Sequence, residues 1–310
     1  MDQSAGDWRH ASNPFQHEPL QRLTRGGLRA RVMHSPASES IDAGAPSQDY
    51  LFLTERGARV AFAVADGVSS SFFAEIAAKE LATGLAQWLT DVALLDEISL
   101  KTSLNHFLSD LAVQVQRQVE VFEVPPTVVG FVRQELERRR EYGSEAMVAC
   151  GVIERFGPSP RLAVAWLGDA HLRIWSRDGT VLDLEGSVDD RWSTTRGTRG
   201  SVNVWMSPAA RVCRLLACTD GVSFALDAVA SLPDDRLRAE LQVIADAPSS
   251  DDIAFLDIGL NATALPPQRS RRRAFESSSI ADGVRKLRER VQHSAASLGK
   301  LFGAGDSQGW

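Results

Sequence analysis

Residues 60–65, Val60-Ala61-Phe62-Ala63-Val64-Ala65, form an unbroken apolar run, and a second run at 50–54 precedes it across Glu55-Arg56-Gly57. Two runs of strand length joined by a turn predict a hairpin. The second strand is almost wholly apolar, so it is expected to lie centrally. Residues 28–34 alternate Leu28, Ala30 and Val32 with Arg29, Arg31 and Met33, the pattern of a half-buried strand. A loop rich in Ser, Pro, Gly and Ala follows to Ser47. Residues 71–90 place Phe72, Ile76, Ala77, Leu81, Leu85, Trp88 and Leu89 at helical spacing, and 97–121 repeat it with Leu100, Leu104, Phe107, Leu108, Leu111 and Val115. Pro125-Pro126 breaks the second helix, and a third helical piece over 128–141 ends in the charge run Glu137-Arg138-Arg139-Arg140-Glu141, read as a solvated face.

The period then shortens. Residues 146–155, 161–166, 171–175 and 181–184 are strand candidates separated by Gly, Pro and Asp. Residues 187–207 are polar and arginine-bearing, and they read as a long surface loop or small subdomain of the kind that is often functional. A strand over 211–219, a helix over 237–245 and a last strand over 253–258 complete the pattern. Strands, a block of helices and strands again predict an α+β fold rather than alternating βαβ units.

Both ends differ from this middle. Residues 1–27 are polar and broken by Pro14, Pro19, Gly26 and Gly27, and are expected to be a flexible leader. A boundary is expected near 262, so that 28–262 is one domain and 263–310 is a basic tail, partly helical or disordered. Arg269, Arg271, Arg272 and Arg273 open that tail, and Ile280, Val284, Leu287, Val291, Leu298 and Leu301 follow at helical spacing. Such a tail is suited to docking a partner, touching an anionic membrane surface, folding back on the 28–262 domain, or no binding role at all.

Composition narrows the class. Of 310 residues, 44% are hydrophobic and 24% charged, as in a soluble globular protein. The net charge, 34 − 40 = −6, argues against a nucleic-acid partner, which demands a basic footprint. Cys150, Cys213 and Cys218 lie in apolar runs without CxxC spacing, which predicts small buried thiols rather than a zinc site. No apolar stretch approaches the roughly 20 residues of a membrane span, and the N-terminus lacks a signal-peptide core, so a cytoplasmic location is expected.

The candidate chemistry lies where apolar runs end. Asp66 follows 61–65, Asp169 follows 163–168, Asp220 follows 214–219, Asp251 and Asp252 precede 253–258, and Asp49 opens the strand at 50–53. Strand ends hold side chains on rigid supports. Carboxylates gathered together repel and take up protons unless a cation compensates, and hard oxygen donors select magnesium or manganese over zinc. Gly67 and Gly221, each beside an acid, allow close approach to the backbone.

The segments Ser47-Gln48-Asp49, Ala65-Asp66-Gly67-Val68, Gly143-Ser144-Glu145-Ala146, Leu167-Gly168-Asp169-Ala170, Cys218-Thr219-Asp220-Gly221 and Asp251-Asp252-Ile253-Ala254 occur in an order and at intervals that resemble the signature of the protein phosphatase 2C family, over about residues 28–260. The resemblance implies a four-layer α-β-β-α sandwich, two antiparallel sheets flanked by helices, with a site for two manganese or magnesium ions at one end. It implies that Asp66 bridges both ions, that the Gly67 carbonyl binds the second, that Asp220 and Asp251 bind the first, that Asp169 belongs to a weaker third position, and that Asp49 orients water. The implied reaction is attack of metal-activated water on phosphoserine or phosphothreonine of a phosphoprotein, the product of a Ser/Thr kinase, with no covalent intermediate.

Four departures from the family pattern bear on this. Gln48 stands where many members have a metal-binding Glu. Val68-Ser69-Ser70 removes the usual histidine and glycines, and with them a histidine general acid. Asp252 replaces an Asn, so either Asp251 or Asp252 could hold the metal. The arginine that precedes the first acidic motif and grips phosphate is replaced by Gly44 and Ala45. Arg29 or Arg31 could substitute, as could Arg191, Arg196 or Arg199 in the polar loop, because a guanidinium suits phosphate. The pattern resembles a divergent bacterial-type branch. Two functions follow: an active metal-dependent phosphatase, or a weak or inactive phosphatase-fold module that binds a phosphoprotein or regulatory partner.

Overall fold

A computed structural model describes residues 7–25, 28–155, 160–225 and 232–260. In chain order the elements are β1 (Trp8–Ala11), β2 (Glu18–Arg25), β3 (Leu28–Ser35), α1 (Ser38–Ala43), β4 (Tyr50–Arg56), β5 (Arg59–Gly67), α2 (Ala74–Asp91), α3 (Glu97–Val121), α4 (Gly130–Arg140), β6 (Glu145–Glu154), β7 (Arg161–Leu167), β8 (His171–Ser176), β9 (Val181–Leu184), β10 (Arg191–Ser193), β11 (Gly197–Arg199), β12 (Asn203–Pro208), β13 (Val212–Cys218), α5 (Asp234–Ala245) and β14 (Ile253–Gly259). Short 3-10 turns lie at Ala209–Arg211 and Asp220–Ala225.

The strands form two antiparallel sheets. The first runs β1-β4-β5-β6 and then divides. β7 and β12 continue it beside Val148 to Ile153 of β6, while the β10–β11 hairpin pairs with Glu145 and Ala146 at the start of β6. The second sheet runs β2-β3-β14-β13-β8-β9.

Strand alternation sorts the apolar residues into layers. On β5, Val60, Phe62 and Val64 enter the core between the sheets, together with Leu51, Leu53, Val164, Leu215, Ala217, Ala254 and Leu256. Ala61, Ala63 and Ala65 face the other way, against Ala77, Ala78, Leu81 and Leu85 of α2. The small residues on both sides let helix and strand lie close. On the second sheet Met33, Leu216, Cys218 and Phe255 face Leu237, Leu241 and Ala245 of α5. The result is the expected four-layer α-β-β-α sandwich. β5 is apolar on both faces because both are covered, and burying a side chain such as Phe62 contributes about 2–3 kcal/mol.

The start of α2 is held from outside the helix. Phe73, at φ 39°, is a non-glycine residue in the left-handed region. The Ser144 hydroxyl accepts the Ala77 N–H at 3.1 Å and donates to the Phe73 carbonyl at 3.0 Å. It thereby gives the Ala77 N–H an acceptor from outside the helix and ties the Phe73 carbonyl to the start of β6.

Two sequence expectations change. Within residues 1–27, read as a flexible leader, β1 pairs with β4 and β2 pairs with β3, so each sheet receives an edge strand from this segment. The expected loop over 187–207 carries β10, β11 and most of β12. Its anchor is Trp192, fully buried, whose indole N–H donates to the Leu108 carbonyl of α3 at 2.9 Å. The tail expected over 263–310 lies outside the described residues. Among the described residues no helix is long and apolar enough to cross a membrane.

Candidate metal centre

Strand register carries the acids to one end of the seam between the sheets. Asp66 continues the alternation of Phe62 and Val64, Asp49 that of Leu51 and Leu53, and Asp252 that of Ala254 and Leu256, so all three follow the face that lines the inter-sheet core. Asp169 and Asp220 stand just beyond β7 and β13. Glycines permit the approach of the backbones. The Gly67 N–H donates to the Gln48 carbonyl at 3.1 Å, and a Cβ at Gly67 would lie 2.6 Å from that oxygen. A Cβ at Gly221 would collide with the Asp252 carbonyl oxygen, so this glycine lets the turn after β13 reach the residues before β14.

The carboxylates act on one another. Burial pushes the Asp66 carboxyl well above its ordinary range, and Asp220, Asp169, Asp251 and Asp252 push it further. Burial likewise raises Asp49, aided by Asp66 and Asp252 and opposed by a hydrogen bond from Thr219. Asp220 is raised by burial, then by Asp251 and Asp169, with His171 opposing. Buried like charges of this kind take up protons unless a cation compensates.

The donor set fits a hard divalent ion in chemistry. Asp49 Oδ2 and Asp169 Oδ1 are buried without a hydrogen-bond partner in the protein, as oxygens reserved for another ligand would be. Among the described residues, however, no three His, Cys, Asp or Glu side chains are gathered tightly enough to hold an ion as they stand.

Asp251 and Asp252 differ sharply. Asp252 Oδ1 accepts the Ala37 N–H at 2.6 Å and Oδ2 accepts the Gln48 N–H at 2.8 Å, so both oxygens tie neighbouring loops to β14. Asp251 is exposed, and its Oδ1 accepts the Asp252 N–H at 2.8 Å. Of the two acids left open in the sequence, Asp252 is engaged by backbone donors of neighbouring loops through both oxygens, and Asp251 only by the next residue.

A family model described as Protein phosphatase 2C matches residues 38–254. The chain belongs to the protein phosphatase 2C family. Its fold is similar to that of the serine/threonine phosphatase Stp1 from Staphylococcus aureus, at 12% identity and a TM-score of 0.53, covering 79% of this chain and 98% of that one. A bacterial serine phosphatase is similar at 12% identity and a TM-score of 0.51, covering 76% and 99%. No curated protein matches the chain by sequence.

Two of the arginines considered for gripping phosphate, Arg29 and Arg31, point away from the acids. Arg31 lies on the outer face of the second sheet, where its Nε donates to Asp257 Oδ2 at 2.5 Å and its Nη1 to Asp234 Oδ1 at 3.2 Å. Arg29 shares that parity and lies opposite Gly259, six rungs from the Ile253–Ser35 pair, or about 20 Å along the strand. Alternation sends both away from the seam that Asp49 and Asp66 line. Of the loop arginines, Arg196 is exposed at the hairpin turn, whereas Arg191 and Arg199 flank Glu145.

Sequence reasoning missed Glu75, in the first turn of α2. Burial raises its carboxyl to about 7, and Asp252 adds to the shift. An acid in the first turn of a helix reads as a partner of the helix dipole, so nothing in the local pattern ties it to the cluster. Thr219 and His171 were missed for the same reason: each earns its place only through a neighbour distant in sequence.

Proposed function

We propose that this protein hydrolyses phosphoserine or phosphothreonine on a phosphoprotein, opposing a Ser/Thr kinase, with two divalent ions, manganese or magnesium, as cofactor. The observation that carries the reading is the convergence of Asp49, Asp66, Asp169, Asp220 and Asp251 at one end of the seam, with buried oxygens of Asp49 and Asp169 left unpartnered. Asp66, Asp220, Asp251 and the Gly67 carbonyl would hold the ions, with Asp169 at a weaker third position. Bound there, divalent ions supply Lewis acidity toward phosphate oxygens and lower the pKa of water. Asp49 orients the attacking water and takes its proton at Oδ2. Oδ2 has no hydrogen-bond partner in the protein, which leaves it open to that water. Asp252 keeps the loops carrying Ala37 and Gln48 in place rather than binding an ion.

The test is hydrolysis of p-nitrophenyl phosphate and of a phosphothreonine peptide with manganese or magnesium. Turnover is expected to require the ion, and Asp66→Asn to abolish it. Full activity in excess chelator sinks the metal assignment. A second reading, a phosphatase-fold binding module, is favoured by the absence of a ready-made cation cage among the described residues. Tight binding of a phosphopeptide without turnover at any metal concentration would establish that reading instead.

A further inference from the structure

Glu145, the first residue of β6, is bracketed by two guanidinium groups. Arg191 Nη1 lies 3.6 Å from Glu145 Oε2, and Arg199 Nη1 lies 3.7 Å from Glu145 Oε1. Both separations exceed a good hydrogen bond, so neither cation closes fully on the carboxylate. Arg191 also makes a long contact, 3.4 Å, from Nε to the Asp189 carbonyl. The Glu145 side chain is 13% exposed and that of Arg199 is 45% exposed, so the group opens outward on the arginine side.

Register places this group beside the acids. Asp66 lies opposite Met147 on one edge of β6, and on the other edge Trp192 lies opposite Ala146 and Ser193 opposite Glu145. Ala146 and Trp192 face the helix layer. Alternation therefore turns Glu145, Met147 and Arg191 to the opposite face, the face of Asp66. Arg199 lies directly across from Arg191 on the hairpin and shares that face. Two strand spacings, about 10 Å, separate the β5 and β10 backbones, a gap that a phosphate group and an arginine side chain together span. Trp192, locked beneath α3, gives the hairpin a rigid footing.

We infer that Arg191 and Arg199 form the phosphate clamp of this protein, and that Glu145 occupies the clamp until a phosphate displaces it. The inference rests on the aspartate cluster being the reacting centre. A phosphate monoester dianion offers three oxygens to two guanidinium forks and carries more charge than one carboxylate, so it displaces Glu145 as the better partner. Glu145 thus acts as a built-in competitor that sets the affinity.

The probe is inorganic phosphate, titrated into the full chain by calorimetry with and without manganese, followed by KM for a phosphothreonine peptide. Arg191→Ala and Arg199→Ala are each expected to weaken phosphate binding and raise KM about tenfold, with circular dichroism unchanged and Arg199→Lys recovering part of the loss. Glu145→Gln is expected to tighten phosphate binding several-fold. No phosphate binding by the unaltered chain in either condition, unchanged affinity in both arginine variants, or weaker binding in Glu145→Gln overturns the inference. Arginine-dependent phosphate binding in a chain without turnover keeps the clamp and sinks the phosphatase reading. Turnover with unaltered KM in the arginine variants does the reverse.

Discussion

Asp252→Ala and Asp251→Ala, at adjacent positions, should fail in different ways. Asp252 accepts two backbone N–H bonds, from Ala37 at 2.6 Å and Gln48 at 2.8 Å. Hydrogen bonds to a charged acceptor contribute about 1.5–3 kcal/mol each, or about 3–6 kcal/mol together. Against this, removing Asp252 relieves a carboxylate whose pKa is raised first by burial, leaving a net loss of about 2–4 kcal/mol. For a domain of this size 1 kcal/mol corresponds to about 2–4 °C, so Asp252→Ala should lower the melting temperature by about 5–15 °C. Asp252→Asn should fall between, because its amide oxygen keeps one N–H partner while its NH2 meets the other as a second donor. Asp251→Ala loses one local bond and relieves repulsion on Asp66 and Asp220, so its stability should change by about 1 kcal/mol or less. Its loss should appear in manganese affinity instead. The assays are thermal melting in chelator and calorimetric titration with manganese. A wild-type melting temperature for Asp252→Ala, or wild-type manganese affinity for Asp251→Ala, would refute the division of labour.

Two further outcomes follow from the site. Burial holds the Glu75 proton to about pH 7 in the folded chain against 4.5 for an ordinary glutamate. Between those values the unfolded chain binds fewer protons, so stability falls as pH rises. The ceiling is about 3 kcal/mol, and partial exposure trims it to about 1–2 kcal/mol. Without divalent ions, Glu75→Gln should therefore gain stability relative to the parent chain between pH 5 and pH 8 in urea titrations; parallel pH profiles would remove Glu75 from the cluster. Gly67→Ala forces a methyl to 2.6 Å from the Gln48 carbonyl oxygen and 2.8 Å from Ala74 Cβ, so it should cost about 1–3 kcal/mol and weaken manganese binding; unchanged stability and affinity would mean that these two backbones need not approach so closely.

The elements that were legible in the sequence are those whose signal is local and repeated. α3 matches its expected span because Leu100, Leu104, Leu108, Leu111 and Val115 mark one stripe and Asp96 caps the start through the Ser99 N–H. β5 was expected to be central because it is apolar at both parities. β1 and β2 escaped because edge strands bury little: β1 alternates between half-buried and exposed positions and leaves no apolar run to find. β10 and β11, three residues each, are too short for any periodicity. The aspartates stand out in the sequence through their neighbours, as strand-end acids. The different surroundings of Asp251 and Asp252 were not legible, because they depend on the loops bearing Ala37 and Gln48 coming to rest beside β14. Arg31 was misjudged because alternation reveals that a residue has a face but not what covers it. Here the cover is Asp257 from the neighbouring strand and Asp234 from α5.

The pairing of β3 with β14 sets a schedule for synthesis. Ser35 and Ile253 are neighbours in the second sheet, yet roughly 200 residues of chain separate them. A ribosome adding about 5–20 residues per second needs roughly 10–40 s to deliver the partner. During that interval β3 has only β2 beside it, and the last of the acids has not yet left the exit tunnel. A truncated nascent chain therefore lacks the strand that completes the second sheet and, with it, the adjoining Asp251 and Asp252. No partly made copy brings together all the acids that gather at the end of the seam.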